Sequence, residues 1–140
     1  MNRAERRRRE KLGTTTLSGR EIETILEEGL KHHGAGRLAQ ARESYGRVLQ
    51  QDAQHVRALF LMGTLELQEK NYLAAESFIK QAIGQDPLDP SFHNNLGIIF
   101  RETGRLEESI ASYRKAIELR PKYAEAYCNL GITQRQLGQL

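Results

Sequence analysis

From residue 22 onward, apolar residues recur every three or four positions in short bursts, and each burst stops at a turn. In "DPSFHNNLGIIFRETGRLEESIASYRKAIELRP", residues 89–121, His93, Leu96, Gly97 and Phe100 share one helical face. "TGR" then breaks the run. Leu106, Ile110, Tyr113, Ala116 and Ile117 form a second amphipathic face, which Pro121 stops. Asp89 is placed to cap the first of these helices, with Pro90 at its first helical position. Upstream, "SGRE" has the form of a capping box, with Ser18 as N-cap and Glu21 reaching back. The pattern predicts helices at about 19–34, 37–51, 56–69, 72–85, 90–103, 106–119 and 124–137.

The pattern itself repeats. Gly29, Gly63, Gly97 and Gly131 are 34 residues apart. The same step relates Gly36, Lys70, Gly104 and Gly138, and Leu38, Tyr72, Leu106 and Leu140. It also relates Ala41, Ala75 and Ser109, then Val48, Ala82 and Ala116, then Ala53, Pro87 and Pro121. One register therefore runs through the chain, with units at about 22–55, 56–89 and 90–123 and the first helix of another at 124–140. Residues 1–18 form a basic extension expected to be disordered, and 19–140 form the repeat domain. Small residues at Gly97, Ala75 and Ser109 allow close helix approach, and large ones fill what remains, each buried Leu or Phe contributing about 1.5–3 kcal/mol. One helical pair cannot bury its own apolar face, so neighbouring pairs must stack.

These columns resemble the tetratricopeptide repeat, a 34-residue helical pair with the pattern W-x2-L-G-x2-Y…A-x3-F…P. The likeness covers residues 22–140. The third unit matches best, with Leu96-Gly97, Phe100, Tyr113, Ala116 and Pro121, His93 in the Trp column and Ser109 in the Ala column. The second has Met62-Gly63, Ala75, Ala82 and Pro87. The first is degenerate, with Glu28, His32 and Ala53 at the Leu, Tyr and Pro positions, as befits a cap. The resemblance implies an all-α, right-handed α-solenoid of three full repeats plus the first helix of a fourth. The first helix of each pair would line its concave side.

In register, that side carries Glu23, Leu26, Glu27 and Leu30, then Arg57, Phe60, Leu61 and Thr64. Next come Ser91, Asn94, Asn95, Ile98 and Arg101, and finally Glu125, Cys128, Asn129, Ile132 and Arg135. It is apolar early and polar late. Asn is an uncommon choice inside a helix, yet its amide both donates and accepts and so suits a peptide unit. "HNNLG" and "AYCNLG" are similar to repeats of O-linked N-acetylglucosamine transferases, in which an Asn ladder grips the substrate backbone. That likeness implies rungs at Asn95 and Asn129, while Leu61 and Glu27 interrupt the column earlier. Arg57, Phe60, Leu61, Thr64, Asn94, Asn95, Arg101, Asn129 and Arg135 are the candidate groove residues. Chaperone-binding relatives use a carboxylate clamp of Lys, Asn and Arg. In units one to three the matching positions are Leu26, Leu30, Leu61, Ser91 and Asn95, none of the type its position requires, and starting one unit later only Asn95 fits, so that activity is not expected.

Charge and composition add little chemistry. The net charge is +3, but residues 1–11 carry +4 and the remainder −1, so the basic character belongs to the tail. The tail has no interleaved aromatics to stack on bases, and it reads as a solvated extension. Neither nucleic acid nor membrane is an expected partner. The lone Cys128 forms no internal disulfide and reads as a small, half-buried residue in a reducing compartment. No apolar run reaches the ~20 residues of a membrane span and no signal follows the basic start, so the cytoplasm is expected. "GAGRLA" (34–39) mimics a dinucleotide fingerprint but joins two helices rather than a strand and a helix. His32 and His33 point about 100° apart and do not converge on an ion. Glu27-Glu28 and Glu107-Glu108 read as solvated faces. No cofactor, metal or catalytic site is expected.

The reading is a non-catalytic interaction module that binds an extended peptide or partner protein in the groove. The alternatives are the substrate-recruiting segment of a longer glycosyltransferase and a scaffold with a nucleic-acid-binding tail. The last helix leaves Tyr127, Leu130, Leu137 and Leu140 without a partner, which implies self-association or a cut through a longer solenoid.

Overall fold

The computed structural model describes residues 2–11 and 16–140, with the side chains of 2–7 and 16–140. Among these residues there are eight helices and no strand. They are α1 (Arg3–Lys11), α2 (Gly19–Gly34), α3 (Leu38–Gln51), α4 (Val56–Gln68), α5 (Tyr72–Gln85), α6 (Pro90–Glu102), α7 (Leu106–Leu119) and α8 (Ala124–Gly138). Helices α2 to α8 lie within a residue of the expected bounds. They stack as an α-solenoid in which α2 packs on α3, α4 on α5 and α6 on α7, while α3–α4, α5–α6 and α7–α8 contacts join the units.

Local chemistry sets the boundaries. Ser18 Oγ accepts from Glu21 N at 3.2 Å and Asp89 Oδ1 from Ser91 N at 2.9 Å, each satisfying a free helix-start amide. His55 caps α4 in the same way, its Nδ1 accepting from Ala58 N at 3.2 Å. Each turn between paired helices closes with one long-loop bond of 2.8 Å: Arg37 N to His32 O, Asn71 N to Glu66 O, and Arg105 N to Phe100 O. The residue before each donor takes positive φ: Gly36 at 77°, Lys70 at 62° and Gly104 at 78°. Gly138, in the same column, stays helical inside α8.

The glycine column makes the core. A Cβ on Gly29 would sit 2.6 Å from Tyr45 Cε1, one on Gly63 2.6 Å from Ile79 Cδ1, and one on Gly97 2.5 Å from Tyr113 Cε1. Tyr45, Ile79 and Tyr113 are fully buried, each filling the notch of a glycine sixteen residues earlier. Ala41, Ala75 and Ser109 are buried beside them, and Ser109 Oγ donates to the Gly97 carbonyl at 2.7 Å. His93, in the Trp column, packs inside with Nε2 2.7 Å from Pro87 O.

Two expectations need correction. Residues 3–11 are a helix rather than a disordered run, because Asn2 and Glu5 cap it reciprocally. Asn2 Oδ1 accepts from Glu5 N at 2.8 Å, and Glu5 Oε2 accepts from Asn2 N at 3.2 Å. The same expectation for residues 12–15 lies outside the described residues. Cys128 is exposed rather than half-buried. Its column is buried only where another first helix follows, as at Leu26 and Asn94.

Candidate peptide-binding groove

The first helices α2, α4, α6 and α8 bring the predicted residues together in rows 34 apart. In the early half, Arg57 Nη1 pairs with Glu23 Oε2 at 2.8 Å, tying α4 to α2. Both side chains are about half exposed, so the pair contributes at most about 1 kcal/mol. Phe60 leans on Phe92 with ring centroids 4.8 Å apart, so it belongs largely to the packing between α4 and α6. Thr64 Oγ1 donates to Leu61 O at 2.8 Å, bending back on its own helix. Leu30 and Leu61 are half-buried, and Leu26 is fully buried in the core. The apolar floor is therefore narrower than the sequence predicts.

The late half is polar and partly committed. Asn94 is only 1% exposed, which removes it from the accessible candidates. Its Oδ1 accepts from Asn129 Nδ2 at 3.2 Å and its Nδ2 donates to Glu125 Oε1 at 3.3 Å. It is a buried tie between α6 and α8, because α8 packs across its position. Arg101 Nη1 reaches Asn129 Oδ1 at 3.4 Å, and Arg101 Nη2 lies 3.7 Å from Glu102. Asn129 thus already donates once and accepts once within the protein.

Asn95 differs. It is half-buried and its amide makes no hydrogen bond to a described residue. Its two donor hydrogens and its carbonyl oxygen remain available. Ile98 is half-buried beside it, Ile132 is 40% exposed, and Arg135 is exposed. The two proposed rungs are therefore unequal: Asn95 is free of hydrogen bonds to the described residues, and Asn129 has only residual capacity.

Sequence reasoning missed two contributors. His33 bridges the first two units, with Nδ1 3.1 Å from Tyr45 Oη and Nε2 2.7 Å from Gln68 Oε1. Burial pushes the Tyr45 phenol above its ordinary pKa, which keeps it a neutral donor. The available signal was His33 standing in the Arg101 column. Glu125, which fixes the Asn94 amide, carried no signal beyond its place on the concave row. His32 does not join His33, since its Nδ1 accepts from Arg37 Nε at 2.9 Å. Among the described residues, no three His, Cys, Asp or Glu side chains gather as a metal site. No helix among them is long and apolar enough to cross a membrane.

Two family models for this repeat match adjoining stretches of the chain, one for the tetratricopeptide repeat at residues 32–96 and one for the TPR repeat at 97–138. The chain belongs to the tetratricopeptide repeat family. It is 36% identical over 77 residues to the chloroplastic tetratricopeptide repeat domain-containing protein PYG7 of Arabidopsis thaliana, covering 52% of this chain and 26% of that one. It is 36% identical over 83 residues to SPINDLY of Solanum lycopersicum, named a probable UDP-N-acetylglucosamine–peptide N-acetylglucosaminyltransferase, covering 59% of this chain and 9% of that one. These matches span only 26% and 9% of the relatives' own length. Among solved structures, a Thermobaculum terrenum O-GlcNAc transferase mutant superposes with TM-score 0.81 at 31% identity, over 85% of this chain and 23% of that one. The first tetratricopeptide domain of Spaghetti (RPAP3), bound to an HSP90 peptide, superposes with TM-score 0.82 at 20% identity, over 87% and 97% of the two chains. That last likeness is one of fold.

Proposed function

We propose that this chain is a protein-interaction module that holds an extended segment of a partner protein along its concave face. The observation that carries the reading is the Asn95 amide, half-buried, without a hydrogen bond to any described residue, and in register with Leu61 one repeat before it and Asn129 one repeat after it. A main-chain peptide unit offers one donor and one acceptor, which that amide matches without reading a side chain. The apolar floor at Leu30 and Leu61 would take side chains of the bound segment, and Asn129 would add a second, weaker contact. The Spaghetti domain, bound to an HSP90 peptide, is an instance of this fold holding a peptide. The clamp residues for a terminal carboxylate are absent here, so an internal segment fits better than a C-terminus.

The test is calorimetry on binders selected from a random-peptide library. Asn95→Ala should weaken binding about tenfold, as loss of one to two hydrogen bonds does. Asn129→Ala should weaken it less. Asn94→Ala should lower stability and leave the affinity of the folded protein nearly unchanged. Equal affinity for wild type and Asn95→Ala overturns the reading.

A second reading, that this is the substrate-recruiting segment of a longer glycosyltransferase, rests on the likeness to SPINDLY and to the Thermobaculum enzyme. Reading the natural gene downstream tests it. An open frame into a transferase domain supports it, and a stop codon after Leu140 overturns it.

A further inference from the structure

Helix α1 is not among the stacked pairs of the solenoid. Its sequence, RAERRRREK, holds five Arg and one Lys against two Glu, and its one apolar residue is Ala4. It has no face with which to join a core, and residues 2–7 are all exposed. Residues 12–140 carry a net charge of −1, so the positive charge of the molecule is concentrated on this helix. As a solvated tail the segment offers only charge. Folded as a helix, it offers a shape as well.

The helix carries its own conflict. Nine residues are marginal for a helix in water. Arg3 also faces Arg6 and Arg7 across one turn, and like charges at that spacing repel. The reciprocal Asn2–Glu5 cap works against both costs. A polyanion that neutralised the arginines would remove the repulsion and leave the cap in place. Binding and helix formation therefore favour each other.

The distribution of charge selects the polyanion. At 3.6 residues per turn, Arg3, Arg6 and Arg7 share an arc of about 100°, while the backbone positions of Arg8 and Arg9 lie outside it, on either side of Glu5. An acidic peptide meets one side of a helix only. A membrane surface needs an apolar face, which α1 lacks. Single strands are held by aromatic stacking, and residues 1–11 contain no aromatic. The major groove of B-form DNA is about 12 Å wide, admits a helix about 10–12 Å across, and has phosphates along both walls. In duplex RNA that groove is too narrow. The guanidinium fork suits phosphate oxygens.

We propose that α1 is a DNA-binding element that lies in the major groove of a duplex, with Arg3, Arg6 and Arg7 on the phosphates. This is independent of the concave groove, which stays open to its own partner.

The test is fluorescence anisotropy of the whole chain with a short labelled DNA duplex of mixed sequence. The charge of the segment corresponds to about four phosphates, so affinity should fall about a hundredfold between roughly 50 and 200 mM salt. The triple variant Arg3→Gln, Arg6→Gln, Arg7→Gln should weaken binding at least tenfold and flatten the salt dependence, with the thermal melt of the repeats unchanged. Asn2→Ala keeps every charge and removes the cap, so it should weaken binding about threefold. Absence of salt-dependent binding, or equal binding by the triple variant, overturns the proposal. Equal binding by Asn2→Ala overturns it too, since loose charge would then suffice. Equal or tighter binding to duplex RNA, to polyglutamate or to phosphatidylserine vesicles assigns the helix to a different anion and likewise overturns it.

Discussion

Gly97 and Gly131 occupy the same column, one repeat apart, on helices of near-identical pattern. At Gly97 there is no room for a methyl group, since Tyr113 stands 2.5 Å from where it would be. At Gly131 there is open space. The glycine is the same and its meaning is opposite. In a solenoid, what a residue does is decided by whether the neighbouring helix is present. The same contrast runs through the adjacent column, where Leu26 and Asn94 are buried and Cys128 is exposed.

The largest effect expected from this contrast is at the filled notch. Gly97→Leu forces a side chain into the Tyr113 ring, and overpacking of that kind costs about 3 kcal/mol. Urea unfolding followed by circular dichroism measures it. A cost below about 1 kcal/mol would mean that α7 can slide away from α6, and that the notch is not a constraint.

The occupants of two filled notches can be compared next. Tyr45 and Tyr113 are two repeats apart and both fully buried. The Tyr45 hydroxyl lies 3.1 Å from His33 Nδ1. The Tyr113 hydroxyl is buried with no hydrogen-bond partner in range among the described residues, and the nearby Ser109 and Thr133 hydroxyls, which donate to the Gly97 and Asn129 carbonyls, are left only as acceptors for it. Tyr45→Phe should therefore lose about 1 kcal/mol, whereas Tyr113→Phe should be neutral or stabilising, since it removes an unsatisfied buried group. Equal losses would show that Tyr113 finds a partner in solution, a buried water being the obvious one.

At the open notch the sign reverses. Gly131→Ala relieves the entropic cost of glycine in a helix interior and meets no neighbour, so it should stabilise by about 0.5–1 kcal/mol. The same change at Gly97 should destabilise. A thermal melt of the two variants side by side decides the matter, and a destabilising Gly131→Ala would show that the face is covered in solution.

Much of this was legible in the sequence, because a repeat states each contact several times. The period of 34 gave the helices, their turns and the notches without any coordinates. The groove was legible only in part. Asn94 and Asn95 are adjacent and look equivalent, yet α8 covers one and leaves the other half-open. Sequence position gives the row, but side-chain direction decides whether an amide is spent on the protein, as in Asn129, or left free, as in Asn95. The α1 cap was legible in principle, since Asn2 and Glu5 have capping-box spacing.

The smallest effect concerns the turns. Gly36, Lys70 and Gly104 occupy one column, and all three adopt positive φ, but only Lys70 has a Cβ to clash there. The left-handed conformation costs a non-glycine residue about 1–2 kcal/mol, while glycine in the unfolded chain gives back roughly 0.5–1 kcal/mol of that advantage. Lys70 is exposed, so its side chain gives up no burial when removed. Lys70→Gly should therefore stabilise the fold by about 0.5 kcal/mol, and Gly104→Lys should destabilise it by a similar amount. Paired chemical denaturation curves resolve the difference. If both changes prove neutral, the 2.8 Å bonds from Asn71 to Glu66 and from Arg105 to Phe100 would be setting the turn, with the identity of the left-handed residue secondary to them.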